Sequence, residues 1–165
     1  MYFSDLEILF SRLKDAEYSY LLLEPVPLFG LFFGLIFFAV GLYMGQDKCK
    51  IAALIVIVLS CFSVYPMMGQ RAKAQQRLVL AADITHVSAE TFKRQTALRQ
   101  DTKWVYYTVG AFALLALIGG GKLGTWSNIA LLIGGSLAIV FSIWLHMKEA
   151  EVYHPNIKKS VGRPR

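Results

Sequence analysis

Charged residues are scarce in this chain of 165 residues. Asp, Glu, Lys and Arg make up 17% of it, while hydrophobic residues make up 56%. That balance is too apolar for a soluble domain of this size. Cysteine is scarce as well, because the chain has two, Cys49 and Cys61, and they lie about 18 Å apart along a helix axis. A domain held together by disulfide bonds is therefore excluded.

Familiar catalytic motifs are missing from the sequence. It contains no CxxCH haem attachment, Walker A loop, HExxH pair or nucleophile elbow. The long apolar stretches contain no acid or base that would mark a proton or ion path, which argues against transport and membrane catalysis. The first twenty residues mix acids with bases and do not resemble a signal peptide, so the first apolar stretch is expected to remain as an anchor.

Four apolar stretches without a charged residue are what the chain has in abundance. They are residues 25–45, 51–68, 104–121 and 126–147, each 18 to 22 residues long. A hydrocarbon core about 30 Å thick requires about 20 helical residues to cross it, and backbone groups in lipid are satisfied within helices. The sequence thus predicts one all-α domain over residues 1–165, an integral membrane four-helix bundle.

Three further segments surround these spans. Residues 4–20 have the spacing of an amphipathic helix, with Ser4 and Glu7 as a capping box, which would lie on lipid, bind a partner or fold onto its own bundle. Residues 71–103, between the second and third spans, are expected to form a helical extramembrane connection. Residues 155–165 are expected to be a flexible basic tail. A kink or helix end is predicted at Tyr65-Pro66.

Small residues recur at helical spacing in the first and fourth spans. In lipid such faces permit close contact between helices, although the groove of the first span would also seat a flat cofactor. The residues expected to pack against other helices are Gly30, Gly34, Gly41, Gly45, Gly135, Ala138 and Ser142.

The three histidines are the candidates for binding a metal or cofactor. Asp83, His86 and Glu90 would share one helical face and could form a metal site, or they could be a cap, a solvated ring and a surface ion pair. His146 and His154 could act with His86 as axial ligands of a haem, or they could be interfacial residues. We expect no bound cofactor, with haem as the alternative.

The distribution of basic residues predicts the orientation. The N-terminal segment, the long connection and the tail carry 2, 7 and 5 of the 17 basic residues, and the two short loops carry 3. The positive-inside rule then places both termini in the cytoplasm. The basic side is suited to anionic lipid headgroups, and nucleic-acid binding is not expected.

The sequence resembles a family of uncharacterised bacterial four-helix inner-membrane proteins, a domain of unknown function loosely associated with redox proteins. The resemblance covers residues 20–157 through EPVPLFGLFFGLI, SVYPMMGQRA, LVLAAD and VYHPNI. It implies a multi-pass protein of the bacterial inner membrane. The family tends to carry histidine and acid in the helix before the third span, where this chain has only Asp101.

The expected function is that of a non-enzymatic structural or accessory subunit of a bacterial membrane assembly. Its partners would be the lipid bilayer and other membrane proteins or further copies of the chain. The alternative from a different class is a small haem-binding or electron-transfer membrane protein.

Overall fold

A computed structural model describes residues 10–81, 86–119 and 124–153, with side chains described for 10–74, 89–119 and 124–150. Within these ranges the chain is helical, which confirms the predicted all-α class for the described residues. The helices are α1 (Ala16–Leu23), α2 (Val26–Tyr43), α3 (Asp47–Phe62), α4 (Val64–Ala81), α5 (His86–Thr102), α6 (Trp104–Ile118) and α7 (Thr125–Tyr153).

Three helical stretches of the described chain are long and apolar enough to cross a membrane. They are Ala16–Tyr43, Asp47–Ala74 and Thr125–Ala150, which are 28, 28 and 26 residues long. The remaining predicted span, residues 104–121, corresponds to α6, which has 15 residues and is followed by residues outside the described ranges.

The apolar helices pack in a closed order around one core. α2 lies against α3, α3 lies against α6, and α7 contacts both α2 and α6. Leu31 and Phe38 of α2 and Leu54 and Ile57 of α3 are completely buried. The outer faces remain strongly apolar, and residues such as Phe37 are exposed there. An apolar core inside an apolar surface is the pattern expected where lipid is the solvent.

The N-terminal helix differs from the continuous one predicted over residues 4–20. Residues 10–12 are helical, but the chain turns at 13–15 and α1 starts afresh at Ala16. Asp15 has an extended backbone and its carboxylate accepts a hydrogen bond from the Glu17 amide at 3.1 Å. A capping aspartate competes with continuation of the helix and explains the break. Residues 4–9, with the proposed capping box, lie outside the described residues.

The helix of the second predicted span breaks where a proline requires a break. α3 stops at Phe62 and α4 starts at Val64, which places Pro66 in the first turn of α4. The ring of a helical proline clashes with the carbonyl four residues earlier, which here belongs to Phe62. α4 then continues far past the apolar segment, so the start of the predicted connection is an extension of the second span.

Most of the small residues at helical spacing lie at contacts between helices of this chain. A Cβ atom on Gly41 would lie 3.0 Å from the backbone nitrogen of Lys50, and one on Gly135 would lie 2.6 Å from the Leu35 side chain. Gly30 and Gly34 lie similarly close to Ser60 and Ile57 of α3, and Ala138 and Ser142 are buried.

Gly45 is a correction to the predicted packing face. It lies beyond the end of α2 with φ of 64°, and a Cβ there would meet nothing within 4 Å. This left-handed conformation costs glycine little, so Gly45 serves to end the helix.

Candidate functional site

A network of buried charged groups lies at the end of the bundle where α1, α4, α5 and α7 meet. Arg71, Arg99 and Glu149 have side-chain exposures of 0%, 6% and 6%. Glu24, between α1 and α2, and His146 of α7 lie at its edge and are partly exposed. Four separate parts of the chain thus contribute to one polar site.

Arg71 is the most completely enclosed member. Its Nη1 atom donates to Glu149 Oε1 at 2.6 Å and also to the hydroxyl of Tyr20. Its Nε atom donates to Thr96 Oγ1 at 3.1 Å. The guanidinium carbon also lies 4.6 Å from the centre of the Phe92 ring, within the range of a cation–π contact.

Glu149 joins the two arginines. Its Oε1 atom faces Arg71, and its Oε2 atom forms an ion pair with Nη2 of Arg99. Arg99 Nη2 also lies 3.9 Å from Glu24 Oε1, and that carboxylate oxygen lies 3.8 Å from His146 Nε2. The two arginines and two glutamates balance in formal charge.

The electrostatics of the network depend on its burial. Each ion loses several kcal/mol of hydration free energy when it leaves water. Close pairing with additional hydrogen bonds offsets this cost. Removing one partner of a buried pair costs about 3–5 kcal/mol because it leaves a charge uncompensated. Glu149 is therefore the member on which both arginines depend.

The sequence analysis placed Arg71 and Arg99 in the extramembrane connection and did not identify them as members of a buried site. The signal for Arg71 was present in the helical spacing. Buried positions of α3 and α4 recur every three or four residues, and Arg71 continues the row Ile57, Val64 and Met67. Glu149 likewise follows Ser142 and Leu145 on the buried face of α7.

The candidate metal residues are not brought together within the described side chains. Asp83 and the side chain of His86 lie outside them, and Glu90 is exposed on α5. His154 also lies outside the described residues. The proposed Asp83–His86–Glu90 site is therefore still a prediction.

His146 is the one candidate haem ligand whose side chain is described. Its Nδ1 atom donates to the Ser142 carbonyl at 2.8 Å, and its Nε2 atom faces Glu24. The cavity shared by His146, Glu24 and Arg99 has a volume of about 10 Å³, the size of one water molecule. A haem does not fit on this side of the His146 ring, so no redox step is assigned to this histidine.

Comparisons of the chain with protein-family models, with curated proteins and with solved structures found no match. The resemblance to a bacterial membrane family therefore stays a prediction from the sequence. What can be said of function depends on the geometry of the chain itself.

Proposed function

We propose that this chain is a multi-pass membrane protein with four spans and that it acts as a non-enzymatic structural or accessory subunit of a membrane assembly. The charge network supports the structural part of this proposal. Its glutamates face arginines of the same chain, and these contacts tie together helices that are distant in sequence. Such pairing stabilises one arrangement of helices and leaves little room for a substrate.

The observation that supports a role in an assembly is an open groove between α6 and α7. Its volume is about 170 Å³, and Ala130 and Gly134 lie along it one helical turn apart. A Cβ on Gly134 would meet nothing within 4 Å, whereas one on Gly135 would clash with Leu35. Small residues four apart permit close approach of another helix in lipid. A spanning helix of a partner is the occupant that this groove suits.

Site-specific photo-crosslinking in native membranes tests the proposal. With a photoreactive phenylalanine in place of Phe112, which lines the groove and is exposed, we expect a discrete crosslinked protein product. The same group in place of Phe33, which is half-exposed on α2, should give no discrete product. A product of twice the mass of the chain would identify the partner as a second copy.

Gly134→Leu supplies the matched variant. A Cβ at this position would meet nothing within 4 Å, so a side chain there starts in open space and occupies the groove. The crosslink should therefore be lost while the purified protein keeps its thermal stability. If position 112 gives no product and the chain leaves the membrane in mild detergent as a solitary monomer, the accessory-subunit proposal is wrong.

The location in a bacterial inner membrane and the cytoplasmic termini belong to the same proposal. They are supported by the sequence resemblance and by the charge distribution. The three long apolar helices support a membrane location in general terms.

A further inference from the structure

A second, larger groove lies beside the charge network, and Thr96 of α5, which accepts a hydrogen bond from Arg71, is among its lining residues. It has a volume of about 670 Å³, within the range of ligand sites in proteins, and it is formed by α4, the second half of α5 and the start of α6. The residues that line it are Tyr65, Pro66, Met68, Gly69, Gln70, Ala72, Lys73, Lys93, Thr96, Ala97, Gln100, Lys103 and Tyr107.

The lining divides into an apolar part and a basic part. Tyr65, Pro66 and Tyr107 come from the apolar ends of their helices, whereas Lys73, Lys93 and Lys103 come from the polar extensions. Three formal positive charges line this groove, and no carboxylate is among its lining residues. An anion is therefore the charge that complements it.

The position of the groove indicates what kind of anion. Tyr65 is 76% exposed and Trp104, near the groove, is 62% exposed. Exposed tyrosine and tryptophan at the end of a span are typical of the headgroup level of a bilayer. A basic site at that depth meets phosphate groups that are attached to acyl chains.

We propose that this groove binds one anionic glycerophospholipid. The phosphate lies among Lys73, Lys93 and Lys103, and the start of the acyl chains lies against Tyr65, Pro66 and Tyr107. Gly69 keeps the wall open, because a Cβ at this position would meet nothing within 4 Å. The site is independent of the α6–α7 groove, so its test does not depend on a partner protein.

Native mass spectrometry of the detergent-purified chain tests this binding. We titrate phosphatidylglycerol and phosphatidylcholine with identical acyl chains. Phosphatidylglycerol should bind at least about fivefold more tightly, because even one basic residue near an anionic headgroup contributes about a factor of five. The triple variant Lys73→Gln/Lys93→Gln/Lys103→Gln should lose that preference.

A control variant separates a specific site from general electrostatic attraction. The variant Lys14→Gln/Lys48→Gln/Arg94→Gln removes the same charge from positions that do not line the groove, and it should keep the preference. Arg94 is next to Lys93 on α5 and is also exposed, which makes this pair the closest comparison.

Gly69→Leu tests the groove without a change of charge. Phosphatidylglycerol binding should fall about tenfold, whereas the melting temperature of the delipidated protein should not fall, since leucine is the better helix former. The proposal is wrong if Gly69→Leu and the triple lysine variant both bind phosphatidylglycerol as tightly as the wild type does. Equal competition by free glycerol phosphate would also overturn it, because the ligand would then be a soluble anion.

Discussion

At the scale of single residues, Glu149 has the largest influence on the polar end of the molecule. It lies between Arg71 and Arg99, and all three side chains are nearly or completely buried. The neighbouring Glu24 is more exposed and lies 3.9 Å from Arg99, so it compensates little of the charge that Glu149 neutralises.

Glu149→Gln should therefore lower the free energy of unfolding by about 3 kcal/mol, because two buried arginines lose their common partner. Unfolding in mixed micelles with increasing dodecyl sulfate measures this change. The exposed Glu90→Gln is the control and should change the free energy of unfolding by less than about 0.5 kcal/mol.

The double variant Glu149→Gln/Arg99→Gln distinguishes a structural ion pair from two independent contributions. Removing Arg99 as well leaves one fewer uncompensated charge, so the double variant should be more stable than Glu149→Gln alone. Simple additivity of the two losses would contradict the pairing that the geometry indicates.

At the scale of helices, the junctions determine which side chains meet. Asp15 starts α1, and α1 brings Tyr20 to the guanidinium of Arg71. The break between α3 and α4 lies about two turns before Arg71 and fixes the direction in which α4 leaves the apolar core.

Asp15→Ala should destabilise α1 by about 1 kcal/mol because the first amides of the helix lose their acceptor. Asp15→Asn keeps a capping oxygen and should behave like the wild type. Hydrogen exchange of the α1 amides measures the difference. Equal protection in all three proteins would show that tertiary contacts, and not the cap, hold this helix.

Most of the helices could be predicted from the sequence. Composition and period predict α2, α3 and α7, and the connection predicted to be helical contains the end of α4 and all of α5. Sequence patterns alone do not give contacts between distant positions. The pairing of Arg71 with Glu149, 78 residues later, follows from the order in which the helices pack.

Polar residues illustrate the same limit from another side. Arg71 looks like a surface residue by type, and the row of buried positions that includes Arg71 is the evidence to the contrary. Gly134 and Gly135 are adjacent and identical in type, yet one faces an open groove and the other faces Leu35. Only the rotation of α7 against its neighbours distinguishes them.

At the scale of the whole molecule, the alternating direction of the apolar helices places two features at the same end. These are the charge network and the groove lined by Lys73, Lys93 and Lys103. The first turn of α3, with Lys48 and Lys50, lies at the other end. The charge distribution predicts that the network end faces the cytoplasm.

Cysteine labelling in intact cells tests this orientation. In a Cys49→Ser background, Lys48→Cys should react with a membrane-impermeant maleimide and Arg94→Cys should react only after the cells are permeabilised. Cys61 is completely buried and should stay unreactive in both variants, which serves as the internal control. The reverse pattern would place the termini outside.

The network also has a consequence for how the protein is made. Tyr20 and Glu149 are 129 residues apart, and Glu149 belongs to the last described helix. During synthesis the arginines of α4 and α5 therefore precede the carboxylate that pairs with both of them. A chain that stops before α7 carries both guanidinium groups without the carboxylate that pairs with them, so a truncated product cannot form the network.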